Sequence, residues 1–198
     1  MIMDEIKIVK IGHPALRTVS SKVEDFQSDQ VRDTIQLLSK IINENDQLDI
    51  GLAAPQLGIN LRIFVTKIAA APHRNDLVPD SLRIYINPEL EFLSEDKNLF
   101  YEACSSLPRT LFGPVYRPRH IIVKAWDQAG LPFTLECDGL LARCILHEYD
   151  HLDGFLFTDR LENIRDLIDK EFLAEVKIKF PELKTNKNIN IKRINYLV

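Results

Sequence analysis

Apolar residues recur at Val31, Ile35, Leu38 and Ile42 between polar neighbours, the three-and-four spacing that lines one face of an α-helix. Ser28 stands at the N-cap position ahead of them, so the pattern predicts an amphipathic helix over 29–44. The chain then changes to β-rich runs. LRIFVTK (61–67) and SLRIYINP (81–88) read as strands separated by a polar, proline-containing loop, with further strands expected at 89–95 and 98–105. RHIIVKAWDQAGLPFTLEC (119–137) holds two such runs around the turn signals Asp127 and Gly130, which predicts a hairpin. LLARCILHEYDHLDG (140–154) is apolar on several sides and predicts a buried helix ended by Gly154. A last helix is expected over 160–176, residues 5–23 read as an extended arm with Pro14 in a turn, and GLAAPQLG (51–58) reads as a loop. This order predicts one α+β domain over 1–198. Antiparallel strands pack around a central helix, with one helix before them and a helix and tail after them.

Composition narrows the class. Hydrophobic residues make up 45% and charged residues 27%, the balance of a soluble globular chain. A net charge of −4 leaves no general nucleic-acid footprint, and no apolar run approaches the roughly 18 residues that span a bilayer. Neither DNA nor membrane is therefore expected as a partner. The start, MIMDEIKIVKIGHP, carries Asp4 and Glu5 and no long apolar region, so it does not read as a secretion signal. Three cysteines, Cys104, Cys137 and Cys144, are an odd number and point to reduced thiols in the cytoplasm. Residues 177–198 hold six Lys/Arg against one Glu, so this tail is basic within an acidic chain.

The chemistry is concentrated in HEYDH (147–151). Four residues at about 100° each return His151 to the helix face of His147, so both imidazoles can reach one metal ion with Glu148 beside them as a general base. A catalytic site of this kind needs a third protein ligand. A histidine six residues beyond His151 would supply it in one arrangement, but that position is Phe157. A glutamate from the last helix, Glu171 or Glu175, is a second route and would make the chain a gluzincin-like peptidase. A thiolate is a third: Cys144 sits in the apolar helix like a core residue, and Cys104 lies in EACSSLP with Glu102 two residues before it.

GLAAPQLG, EACSSLP and HEYDH, in this order and at these separations, resemble the three motifs of the peptide deformylases. The stretches IVKIGHPALRTVSSKV, LRIYINPEL and ECDGLLARCILHEYDH are similar to that family as well, so the likeness runs from about residue 6 to 160. The resemblance implies that Cys104, His147 and His151 hold one divalent metal. It favours Fe²⁺, with Zn²⁺, Ni²⁺ or Co²⁺ as replacements. Glu148 would be the acid/base, Gln56 would aim its amide at the substrate carbonyl, and Ser105 would offer its backbone N–H. Gly51 would bring backbone close to the peptide and Leu52 would line the site. The substrate implied is the N-formylmethionyl end of a new peptide, with the basic tail a contact for the ribosome; a non-catalytic relative is the other alternative.

Three positions depart from the family pattern: Asp49 where glycine is usual, and Ala103 and Ser105 where Glu-Gly-Cys-Leu-Ser is usual. A glycine with positive φ at 103 would make alanine strained, and a hydroxyl at 105 would admit water beside the metal. Both departures predict a slower enzyme.

Overall fold

A computed structural model of the chain describes residues 7–44, 50–68, 79–179 and 189–196. Its helices are α1 (Asp29–Glu44), α2 (Gly139–Leu152) and α3 (Leu173–Lys179). The strands are β1 (Gly51–Ala53), β2 (Ile63–Ile68), β3 (Asp80–Leu93), β4 (Lys97–Glu102), β5 (Leu111–Pro118), β6 (His120–Trp126), β7 (Pro132–Asp138), β8 (Ile168–Asp169) and β9 (Ile189–Tyr196). They form two antiparallel sheets, ordered β1-β2-β3-β6-β7-β9 and β4-β5-β8.

Side chains alternate across the large sheet, and each face buries one helix. Ile63, Val65, Ile84 and Ile86 meet Val31, Ile35, Leu38 and Ile42, the apolar stripe of α1. Phe64, Tyr85, Val123 and Leu135 face the other way, onto Leu141, Ala142 and Ile145 of α2. The expected N-cap is present, with Ser28 Oγ accepting from the Val31 N–H at 3.4 Å. Gly154, at φ 78°, follows the last turn of α2. Arg143 on α2 reaches Val115 of β5 and Asn98 of β4, so α2 lies between the two sheets.

The structure corrects four expected elements. The runs at 81–88 and 89–95 are one strand, β3, in which Asn87 takes φ 48° and exchanges two 2.8 Å hydrogen bonds with the Val23 backbone. That side chain stands in for a neighbouring strand, so the chain bends without stopping. GLAAPQLG is half strand: Gly51–Ala53 pairs with β2, and a 3₁₀ turn covers Ala54–Leu57. The strand expected to 105 stops at Glu102, leaving Cys104 in a turn closed by Leu107 N–H to Cys104 O at 3.0 Å.

The helix expected over 160–176 is replaced by turns at Phe157–Arg160 and Ile164–Asp166, the short β8, and α3. Its apolar residues are held by β5 instead. A Cβ at Gly113 would come within 2.8 Å of Leu161 and 3.0 Å of Leu167, so that glycine opens the space they fill. Within 177–198, residues Ile189–Tyr196 pair with β7 as an edge strand. The departure at Asp49 lies outside the described residues.

The N-terminal arm crosses the fold beside the 3₁₀ turn. Val9 N–H donates to Gln56 O and Ile11 N–H to Ser106 O, both at 2.8 Å, while Lys10 Nζ donates to Ser105 O at 2.7 Å. Among the described residues no helix is long and apolar enough to cross a membrane.

Candidate functional site

Helical spacing brings the two histidines together as expected: the His147 and His151 rings lie edge-on, 5.1 Å between centroids. The turn after β4 delivers Cys104 to them, with Sγ 3.3 Å from His151 Nε2. One ligand atom from each of Cys104, His147 and His151 falls within 4.8 Å of the others. Donors around a four-coordinate ion stand roughly 3.4–3.6 Å apart, so the Cys104–His151 separation of 3.3 Å is that of neighbouring ligands, and the donor types suit one divalent metal.

The charges around these donors favour a cation. Burial would lower the pKa of His147, but Cys104 and Glu102 outweigh it and raise it, so the surroundings of this imidazole favour a positive charge that a bound metal ion would supply in place of a second proton. Burial lowers the pKa of His151, and His147 and Arg117 push it further down, which leaves a neutral imidazole suited to ligation. Glu102 Oε2 lies 2.9 Å from His147 Nδ1. An ionised carboxylate can only accept, so Nδ1 carries the proton and Nε2 keeps its lone pair for a metal.

Glu102 is ionised because of what surrounds it. Burial would raise its pKa, but the charge of Arg117 and the hydrogen bonds from His147 and Arg117 hold it well below the carboxylate range. Arg117 donates Nε and Nη2 to its two oxygens at 3.0 and 2.9 Å, and Arg143 Nη1 adds a third bond at 2.7 Å. Arg117 also spans to Asp150 through Nη1 at 2.5 Å, and Arg160 closes the network on Asp150 at 2.6 Å. Asp150, the acid inside the histidine turn, is thus a buried carboxylate paired with both Arg117 and Arg160.

Sequence reasoning gave no role to Glu102, Arg143 or Arg160. A signal was available for one of them. Arg143 precedes His147 by four residues and is the one charged residue in the first two turns of the helix, so it shares that helix face and needs a buried anion, which Glu102 supplies.

Glu148 is buried, and its carboxylate lies against Gly51. A Cβ at Gly51 would fall 2.5 Å from Glu148 Oε1 and 2.7 Å from Cys144 Sγ, so the glycine is needed to seat the acid. The Leu52 side chain sits on the opposite face of β1, in the α1 cluster, and points away from Glu148, so it is the backbone of Leu52 that runs on beside Gly51.

Gln56 is buried at 2% exposure, with Oε1 accepting from the Ala53 N–H at 2.8 Å. Nε2 faces Cys104 Sγ at 3.6 Å, Ser105 Oγ at 3.2 Å and Ser106 Oγ at 3.4 Å. Among the described residues only Asn87 combines positive φ with a side chain, so Ala103 carries no left-handed strain and that reason for a slow enzyme falls away.

The rival ligands separate from the site. Cys144 Sγ donates to Ile50 O at 3.2 Å, and burial keeps its thiol pKa far above the ordinary value. Glu171 and Glu175 are exposed and are not part of the ligand group. Phe157, where a further histidine would have to stand, stacks beside His147 at 6.4 Å.

Comparison with known proteins agrees with this geometry. The family model described as polypeptide deformylase matches residues 6–166. A peptide deformylase of Treponema pallidum is 37% identical over 155 residues, covering 78% of this chain and 87% of the relative. The Synechococcus elongatus peptide deformylase, solved with actinonin, superposes with TM-score 0.69 at 34% identity, covering 90% of this chain and 87% of its own. An Acinetobacter baumannii peptide deformylase solved with Met-Ala-Ser gives TM-score 0.72 at 26% identity, covering 79% and 98%. Three motifs, one ligand cluster and a match over most of the chain converge, and the chain belongs to the polypeptide deformylase family.

Proposed function

We propose that this chain removes the formyl group from the N-terminal methionine of newly made peptides, with Cys104, His147 and His151 holding ferrous iron and Glu148 moving the proton. The observation that carries this reading is one largely buried cluster of thiol and two imidazoles with a buried carboxylate beside it. A divalent ion bound there supplies Lewis-acid activation of water and of the formyl carbonyl near neutral pH. Thiolate and imidazole suit iron and zinc alike, so the preference for Fe²⁺ over Zn²⁺, Ni²⁺ or Co²⁺ rests on the family.

The chain's own groups account for the remaining steps. Glu148, next to a ligand and without a place among the three donors, takes the proton of the attacking water and passes it to the departing amine. Gln56 Nε2 and the Ser105 N–H donate to the oxygen that gains charge, each worth about 3 kcal/mol in such sites. Gly51 and Leu52 offer backbone along the edge of β1 to the peptide. A bound Met-Ala-Ser in the Acinetobacter baumannii relative supports methionine as the residue left behind.

Anaerobically prepared, iron-loaded protein should release formate from formyl-Met-Ala. Release no faster than from a Glu148→Ala variant would sink the proposal. A nascent chain places the enzyme in the cytoplasm, with the basic residues of 177–198 docking near ribosomal RNA. Truncation would remove β9, so Lys184→Gln with Lys187→Gln is the cleaner test. Unchanged ribosome sedimentation would rule the tail out.

A further inference from the structure

The hydroxyl of Ser105 replaces an apolar side chain, and at 7% exposure it is nearly as buried as Gln56. It meets a protein partner: Ser105 Oγ lies 3.2 Å from Gln56 Nε2. We infer that the Ser105 side chain is a positioning group for the Gln56 amide, separate from any use of the Ser105 backbone N–H. This inference rests on the reading of Gln56 as the donor to the substrate oxygen.

A carboxamide on a two-carbon stem can turn about its last bond, and its two ends have opposite polarity. Here each end meets what it requires. Oε1 accepts the Ala53 N–H at 2.8 Å, and Nε2 meets the two hydroxyls of Ser105 and Ser106. Turning the amide over would set N–H against N–H at Ala53 and a carbonyl oxygen against the Cys104 sulfur. The donor end therefore faces the ligand cluster in a single orientation before any substrate arrives.

Ser105 makes the shorter of the two hydroxyl contacts. An aliphatic residue there leaves only the Ser106 hydroxyl at 3.4 Å and the weakly accepting Cys104 sulfur at 3.6 Å to hold the amide on that side. The arm residue Lys10 fixes the same segment by donating to Ser105 O, so the hydroxyl is carried on an anchored backbone. Preorganisation of a donor acts on the transition state more than on substrate binding, so its loss should appear in kcat.

The test is a double-mutant cycle on the metal-loaded, full-length chain with formyl-Met-Ala. Ser105→Ala should lower kcat about tenfold with KM changed less than about twofold, and Ser105→Thr should restore most of it. In a Gln56→Ala background the same Ser105→Ala change should do nothing further. In ¹⁵N-glutamine-labelled protein, with or without metal, the Gln56 side-chain amide protons should exchange at least about tenfold faster in Ser105→Ala. Unchanged or raised kcat, an equal fall in the Gln56→Ala background, or unchanged amide exchange would overturn the role. A wild type inactive on formyl-Met-Ala would instead overturn the proposed function, and the exchange measurement would still decide the position of Gln56.

Discussion

Glu102 and His147 meet through one 2.9 Å contact, and the carboxylate that makes it is held in turn by Arg117 and Arg143. The orientation of a metal-ligating imidazole is thus set by a buried ion network that spans β4, β5 and α2.

Glu102→Gln keeps the shape of the side chain while removing its charge. Metal affinity should fall about 10- to 100-fold, the usual cost of losing the group that orients a ligating histidine. Competition with a chromophoric chelator measures it. Affinity equal to wild type would show that His147 needs no orienting partner.

Cys104→Ser separates the deformylase reading from the peptidase one. With Cys104 as ligand, the variant should retain little metal after dialysis; a Glu171 or Glu175 site would retain it. Removing the ion from wild type should lower Tm as well, because it ties the turn after β4 to α2 and stabilises only the folded state.

Glu148→Ala should keep the metal and lose turnover by about 10²- to 10⁴-fold, the range for a carboxylate acid/base. Metal content and formate release, read on one sample, check both halves.

Gly51→Ala tests a glycine by the space it leaves. The new methyl would meet Glu148 Oε1 at 2.5 Å and Cys144 Sγ at 2.7 Å, and both neighbours are buried. Stability should fall by ~1–3 kcal/mol and activity by more than that loss explains, since the acid itself is displaced. Adding Cys144→Ala frees part of the space and should recover some of the stability, readable in urea unfolding.

Arg17 and Asp159 couple the N-terminal arm to the turn after α2. Partial burial would raise the Asp159 pKa, but the Arg17 hydrogen bond and the Leu156 N–H hold it below its ordinary 3.8. A depressed folded pKa gives stability that is complete above the unfolded value and lost as pH falls through the folded one. Asp159→Asn should therefore flatten the loss of Tm below about pH 4 and lower Tm slightly at pH 7.

Much of this could be read from residues alone, where one local pattern decides. Val31, Ile35, Leu38 and Ile42 needed a single apolar face, and α1 buries them on one. The hairpin of β6 and β7 and the ligand pair His147 and His151 follow from spacing in the same way. What could not be read depends on partners distant in sequence. Asn87 looks like a strand end until Val23, 64 positions earlier, pairs with its side chain. Residues 160–176 have apolar positions that suit a helix, but the gap above Gly113 takes Leu161 and Leu167 instead. Leu52 came to the site through the family resemblance, and the sequence alone does not show that its side chain joins the α1 cluster, because a strand turns adjacent residues to opposite faces. Glu102 went without a role because Arg117 and Arg143 come from two other elements.

The arm at Val9 and Ile11 has a metric consequence. Its two N–H groups, one residue apart in the alternation, hold the carbonyls of Gln56 and Ser106. Two residues of backbone reach at most about 6.6–7.2 Å, and that length limits the gap between the segments that carry the two proposed donors. A gauge made of main chain is indifferent to which side chains sit on it, so substitutions at Ile8 or Ile11 leave the gap alone. Proline at 9 or 11 deletes one of its marks, and inserting a single residue between them lengthens it by a full step.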